Sequence, residues 1–172
     1  MKTQKIVTLS IFLSISIVLS IVESFLPVIP IVGAKLGLAN IMTLVILSLY
    51  GERDALTIVL LRVLLVGMLR GSIGNPGFFL SLGGGLSAYL MMVIFMRFKV
   101  FSIISVSVMG SLGHSLGQII VAIIILSTKE LIYYFPFLFL IAIPTGFFTG
   151  TVAKKFIEIT KSSIQIEKVK FK

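Results

Sequence analysis

The sequence contains no cysteine. A chain without cysteine cannot form a disulfide, hold an iron–sulfur cluster, bind zinc through thiolates or use a thiol as a nucleophile. Charged residues are also scarce, since Asp, Glu, Lys and Arg together make up 12% of the chain. There is a single histidine, and only six residues are acidic. Metal-dependent and acid–base chemistry therefore have few side chains to draw on.

The residues that are abundant are apolar, and they indicate a membrane protein. Hydrophobic residues account for 58% of the 172 residues, and the mean hydropathy is +1.18. A soluble domain of this length could not bury so much apolar surface. We therefore expect an all-α integral membrane protein with one compact domain. The net charge of +9 does not indicate nucleic-acid binding, because most Lys and Arg residues flank the apolar segments.

Six apolar segments are candidates for membrane-spanning helices, since a helix needs roughly 20 residues to cross a bilayer. They cover residues 6–22, 36–50, 55–69, 78–96, 103–127 and 133–153. If all six cross, most Lys and Arg residues fall on one side, and the positive-inside rule puts both termini in the cytoplasm. We predict a multi-pass cell-membrane protein with a six-helix domain, residues 1–153, and a basic cytoplasmic tail, residues 154–172.

The stretch ESFLPVIPIVGAKLGLAN, residues 23–40, is predicted to form the mouth of a site within the membrane. Its two prolines should end the first helix near Glu23, because proline cannot donate a backbone hydrogen bond. Glu23, Lys35 and Asn40 lie at or just inside the apolar edges. Polar groups in such places are costly unless they meet a partner, water or a ligand.

A second irregular stretch, RGSIGNPG at residues 70–77, leads into the glycine triplet at residues 83–85. Its three glycines and one proline favour tight turns, and it carries two further candidate binding residues, Arg70 and Asn75. The triplet lowers helix stability by roughly 1 kcal/mol per residue relative to Ala. We expect it to allow a very close approach of another backbone, or to mark a break that lines a cavity.

Three polar residues lie within apolar segments. Arg62 is about halfway along its segment, where a charge costs ~2.5–3.5 kcal/mol on insertion scales. It is either an anion-binding residue or a structural partner of Glu23 or of helix carbonyls. His114 and Gln118 are one helical turn apart and share a face. They either contact a polar ligand, with His114 a possible proton switch, or form hydrogen bonds between helices.

Several catalytic motifs are missing from the sequence. There is no G-x-x-x-x-G-K-[ST] phosphate loop and no aspartate-rich motif for a Mg²⁺–diphosphate complex. A single histidine cannot provide both axial ligands of a haem. We therefore expect no self-sufficient enzyme, no metal site and no cofactor held by this chain alone.

Four sequence runs resemble a known family. They are GAKLGLANIMTL at 33–44, LLRVLLVGMLRG at 60–71, FFLSLGGGLSA at 78–88 and GHSLGQ at 113–118. Together they resemble the bacterial Gx transporter family, also labelled heptaprenyl diphosphate synthase component I. That family is similar in size and span count to the substrate-binding S-components of energy-coupling factor (ECF) transporters, and the resemblance implies such a bundle.

The resemblance implies competing functions with different partners. An S-component-like subunit would capture a small solute from outside, and ATPases with a coupling membrane subunit would energise uptake. In S-components an alanine-type motif on the first helix docks the coupling subunit, and Ser10 and Ser14 stand there in this chain. A synthase component would instead assist a soluble prenyltransferase that makes the menaquinone side chain. A third alternative is a membrane subunit of a flavin- or quinone-linked electron-transfer system, beside a flavoprotein.

Solute binding is the function that we predict. Arg62, Lys35 and Arg70 would hold a negative or carbonyl-rich group, and His114, Gln118 and Asn40 would orient the solute through hydrogen bonds. The complete predicted binding set is Glu23, Lys35, Asn40, Arg62, Arg70, Asn75, His114 and Gln118.

Overall fold

The structure, a computed structural model, describes residues 2–25 and 37–163. Most of the predicted mouth, including Lys35, and the last nine residues of the predicted tail lie outside the described residues. The described chain is helical, as expected. Its helices are α1 (Lys2–Phe25), α2 (Asn40–Tyr50), α3 (Glu52–Leu69), α4 (Pro76–Arg97), α5 (Ile103–Leu126) and α6 (Phe135–Ser163), with a 3₁₀ helix (Lys129–Tyr134) before α6.

Four of the helical segments in the described chain are long and apolar enough to cross a membrane. They are Thr3–Phe25, Pro76–Arg97, Ile103–Leu126 and the continuous segment Lys129–Ser162. The large apolar side chains that α1 and α6 expose are suited to contact with lipid tails. Four long apolar helices are compatible with a multi-pass membrane protein. The number of crossings and the side on which the termini lie stay predictions.

The second predicted span is shorter than expected. It begins at Asn40 instead of residue 36, after a turn at Gly37 (φ +75°). Its 11 residues give a helix of about 16 Å, whereas the hydrocarbon core of a bilayer is about 30 Å thick. Gly51, at φ +96°, is the single residue between α2 and α3, and it adopts a backbone conformation that favours glycine. The two helices therefore form a tight hairpin.

Helix α2 lies at the centre of the bundle. It packs against each of the other five α-helices, and nine of its 11 residues are buried. The apolar core extends from α2 to residues of all the other helices, including Phe12, Val59, Met92, Val106 and Ile157. A helix surrounded in this way needs no lipid contact along its length, which explains how so short a segment is accommodated.

Glycines bring helices α4, α5 and α6 into close contact. A Cβ atom on Gly117 of α5 would lie 2.5 Å from the carbonyl oxygen of Gly83 in α4. On the other side of α5, a Cβ on Gly146 of α6 would lie 2.6 Å from the Cα of Val108. Helix α4 runs through the glycine triplet without interruption, so close approach is the alternative that the structure bears out.

Charged residues tie the helices together at the end of the bundle that holds the start of α1. Lys5 of α1 pairs with Asp54 of α3, with 2.7 Å between Nζ and Oδ2. Arg97 at the end of α4 donates two hydrogen bonds to the carboxylate of Glu52, at 2.9 and 2.8 Å. These bonds hold the pKa of the Glu52 carboxyl below its usual value. Helix α6 reaches the same end and continues to Ser163, ten residues beyond the predicted domain boundary.

Gly117→Ala should destabilise the bundle, because the added methyl would meet the Gly83 carbonyl oxygen and force α4 and α5 apart. Overpacking of this kind costs about 1–3 kcal/mol. The measurement is the thermal unfolding temperature in detergent. Gly77→Ala is the matched control, since a Cβ at Gly77 has nothing within 4 Å. Equal unfolding temperatures for the two variants would contradict this account of the α4–α5 contact.

Glu52→Gln should lower the unfolding temperature slightly at pH 7. Because the pKa of Glu52 is lowered in the folded protein, its contribution is complete above the unfolded-state pKa and disappears as the pH falls through the folded-state value. The wild-type and variant unfolding temperatures should therefore converge in acid. The control is Glu158→Gln, at an exposed carboxylate of α6. A gap that stays constant down to low pH would argue against the Arg97 interaction as its cause.

Candidate functional site

A cavity of about 520 Å³ opens at the other end of the bundle, where α1 ends, α2 begins, α3 ends and α4 begins. Cavities that bind small molecules typically have volumes of about 300–1,000 Å³. The described residues that line it with polar side chains are Ser20, Glu23, Ser24, Asn40, Arg62, Arg70, Ser72, Asn75, Ser81 and His114. The cavity therefore brings together six of the eight predicted binding residues.

Arg62 provides the buried positive charge of the cavity. It lies near the middle of α3 and is 4% exposed. The Glu23 carboxylate, on the last turn of α1, attracts the Arg62 guanidinium and accepts a hydrogen bond from the backbone N–H of Gly37. This hydrogen bond connects Glu23 to the turn at Gly37 that precedes α2. This attraction agrees with the structural alternative for Arg62, while the position of Arg62 on the cavity wall agrees with the binding alternative.

Several buried polar atoms near the cavity have unused hydrogen-bonding capacity. Within residues 2–25 and 37–163, no partner is present for Nε of Arg62 or for either side-chain polar atom of Asn40. Asn40, at the first residue of α2, is 3% exposed and lines the cavity. Thr43 Oγ1, one turn further along α2, is also buried without a hydrogen-bond partner in the described residues. Buried groups of this kind are costly, and a bound solute or water would satisfy them.

His114 and Gln118 reach this region from α5. Both are buried, His114 lines the cavity, and both lie against Gly84 of α4. Gln118 is not among the described lining residues of the cavity, although its Nε2 has no hydrogen-bond partner in the described part of the chain. His114 and Gln118 therefore share one face of α5, as their spacing predicts, and that face packs against Gly84 of α4.

Arg70 and Asn75 lie at the mouth of the cavity and are exposed. The loop that holds them turns at Gly71 (φ +58°) and Gly74 (φ +86°), and Pro76 begins α4. This bears out the tight turns predicted from the sequence. With Arg70 at the mouth and Arg62 inside, positively charged side chains occur at two depths.

Sequence reasoning missed four serines of the cavity, and a signal for two of them was available. Ser20 and Ser24 follow one another at i, i+4 on α1, with Glu23 between them on the same face. The three form a polar stripe on the last two turns of α1. Ser72 and Ser81 lie on the loop and on α4, and the sequence shows no comparable pattern around them.

The two predicted docking residues lie far from this cavity along α1. Ser10 and Ser14 are exposed in the half of the helix nearest the N-terminus, and Ser14 donates a 3.0 Å hydrogen bond to the Ser10 carbonyl oxygen. Ser10 and Ser14 together form a small-residue strip on α1. Because the Ser14 hydroxyl already donates its hydrogen bond within the helix, this strip has little need of a hydrogen bond from another chain. Small residues allow another helix to approach closely in a membrane.

The side chains of the cavity are suited to hydrogen bonding and to contacts between charges. No cluster of three His, Asp or Glu side chains occurs among the described residues. What the cavity does offer is a guanidinium, a carboxylate, an amide, an imidazole and hydroxyls within a small volume. These groups can hold a polar solute through hydrogen bonds and charge.

Comparison with known proteins identifies the family. The family described as heptaprenyl diphosphate synthase component I matches residues 12–156, which include the cavity and all six helices in whole or in part. No curated protein and no solved structure matches the chain. The match covers most of the sequence, and the chain therefore belongs to the heptaprenyl diphosphate synthase component I family.

Proposed function

We propose that this chain is the solute-binding subunit of a multi-protein uptake system, comparable to the S-component of an ECF transporter. The observation that carries the proposal is the cavity of about 520 Å³ in which Arg62, Asn40 and His114 are all buried. The solute is small and polar and carries an anionic or carbonyl-rich group that Arg62 holds. Partner subunits supply the energy, since the sequence has no phosphate loop.

The charge distribution supports a cavity that faces away from the cytoplasm. The end of the bundle opposite the cavity carries Lys5, Arg53, Arg97, Lys99, Lys154 and Lys155. At the cavity end, the described Lys and Arg residues outside the bundle interior are Arg70 and Lys129. In a six-span arrangement the positive-inside rule then puts both termini in the cytoplasm and opens the cavity to the outside.

The apolar core supports a binding subunit in preference to a channel. Leu44, Val45, Ile46 and Leu47 of α2 are at most 1% exposed and fill the bundle beyond the cavity. A solute on Arg62 faces this packed cluster on its inner side. Passage across the membrane would require the helices to move, which partner subunits can drive.

The family description favours a second candidate function, that of a synthase component. The description 'component I' implies that the synthase has a further subunit, and here that partner would be a prenyltransferase. Catalysis would lie in that partner, because this sequence has no aspartate-rich motif. A soluble prenyltransferase works in the cytoplasm, whereas the proposed topology opens the cavity on the opposite side. For this reason we favour solute binding.

We expect the protein, released from native membranes in mild detergent, to carry a bound small molecule that native mass spectrometry detects. Arg62→Ala and His114→Ala should lower its occupancy about tenfold or more, since losing one charge-assisted hydrogen bond costs ~1.5–3 kcal/mol. Glu23→Gln combined with Arg62→Gln is the better-matched variant, because it leaves neither buried charge without its partner.

Arg53→Ala is the control for this experiment, since Arg53 is exposed at the opposite end of the bundle. It should keep the bound molecule. If the monodisperse Glu23→Gln/Arg62→Gln protein and the His114→Ala protein both retained the molecule at wild-type occupancy, the cavity would not be its site.

The partner proteins decide between the two candidate functions. Affinity purification from native membranes should recover an ATPase pair with a coupling membrane subunit. Ser10→Trp and Ser14→Trp should reduce their recovery without changing the unfolding temperature, because each places a large side chain on the small-residue strip of α1. Leu140→Trp, on α6 at a residue 69% exposed, is the control.

Two other results would redirect the assignment. Recovery of a soluble prenyltransferase in place of ATPases would establish the synthase component. Recovery of a flavin-bearing extracytoplasmic protein would establish the electron-transfer alternative.

A further inference from the structure

Three consecutive glycines of α4 meet three different sets of neighbours. Successive residues of an α-helix point about 100° apart, so adjacent glycines face different helices. Gly83 lies against Val121 and Gly117 of α5. Gly84 lies against the two polar side chains of α5, and Gly85 lies against α3. Two of the three glycines therefore touch predicted binding residues.

Gly85 contacts the buried charge of the cavity. A Cβ atom at this position would lie 3.0 Å from Nη2 of Arg62 and 3.4 Å from Cγ1 of Val59. A carbon atom that close to the guanidinium nitrogen is tighter than ordinary van der Waals contact. The Arg62 guanidinium would therefore have to shift by a few tenths of an ångström within the cavity wall.

Gly84 lies similarly close to two polar side chains of α5. A Cβ atom there would lie 2.8 Å from Cε1 of His114 and 2.8 Å from Cγ of Gln118. Any side chain larger than that of glycine would displace the imidazole from its present position. His114 could then no longer line the cavity as it does now.

These contacts explain how α3 and α5 contribute to the same cavity without packing together. In the described chain, no Cα atom of α3 lies within 8 Å of a Cα atom of α5. Both helices pack against α4, and Arg62 and His114 extend past its glycines to the cavity. We propose that Gly84 and Gly85 are positioning residues, which set His114 and Arg62 at the places where they converge on a bound solute.

The proposal rests on the proposed function, because it takes the cavity to be the binding site. It goes further in assigning roles to residues that do not line the cavity. A glycine needed only for helix packing would affect stability alone. A positioning glycine must also change the surroundings of one particular polar side chain.

Side-chain NMR of the full-length protein in detergent tests this without a ligand. His114 is the only histidine, so ¹³C,¹⁵N-histidine labelling gives imidazole signals from that residue alone. Labelling arginine with ¹⁵N gives four Nε–Hε sites, and the Arg62 signal is the one that disappears in Arg62→Lys. Gly85→Ala should shift the Arg62 signal by more than its line width. Gly84→Ala should shift the His114 signals likewise.

Gly77→Ala is the control, because it adds a methyl to the same helix with nothing within 4 Å. It should leave the Arg62 and His114 signals in place. The Gly85 variant decides the proposal by itself: an Arg62 signal unmoved in folded Gly85→Ala protein overturns it. If Gly85→Ala does not fold, adding Glu23→Gln and Arg62→Ala together should restore a monodisperse protein, because the contact at Gly85 is then removed and neither buried charge is left without its partner. Failure to do so also overturns the proposal.

The two proposals fail in distinguishable ways. If the Glu23→Gln/Arg62→Gln and His114→Ala proteins both kept their bound molecule, the cavity would not be its site and the proposed function would fail, whatever the NMR signals did. If the NMR signals were unmoved while that variant lost its bound molecule, solute binding would stand and the positioning role would fail.

Discussion

A positive charge buried within an apolar bundle is the constraint on which the rest of the structure depends. Arg62 is 4% exposed, in a helix with apolar residues on most sides. Such a charge persists only where opposite charge, hydrogen bonds or water compensate it. Glu23 supplies the opposite charge from α1, and the cavity gives access to solvent or solute. The glycines of α4 supply the space. The polar half of the molecule is arranged around this one side chain.

The short α2 helix separates that polar half from an apolar one. Its first residue, Asn40, lines the cavity, while the four residues from Leu44 to Leu47 are packed on all sides. The five helices around it allow this short helix to separate two environments within the domain. The hairpin at Gly51 then returns the chain as α3, which brings Arg62 back to the level of the cavity.

The sequence was sufficient to predict the helical membrane class and most of the cavity. Polar residues in apolar segments are so costly that Glu23, Asn40, Arg62 and His114 could be expected to converge, and they line one cavity. The start of α2 at Asn40 was not predictable, because the apolar run from residue 36 does not show where the helix within it begins. The neighbours of Gly84 and Gly85 were not predictable either, because a glycine in the sequence does not show which side chains of other helices pack against it.

The unused hydrogen-bonding capacity around Asn40 and Arg62 also bears on how a solute would be released. A solute that satisfies these buried atoms leaves them unsatisfied when it departs, unless water enters in its place. Release toward the open mouth admits that water, whereas release across the apolar core does not. On the proposed function, inward release must therefore open the bundle around α2 and hydrate Arg62 in the same movement. On that proposal, the coupling would make such a subunit depend on partners for energy, because a solute that satisfies the buried atoms stabilises the state in which it is bound.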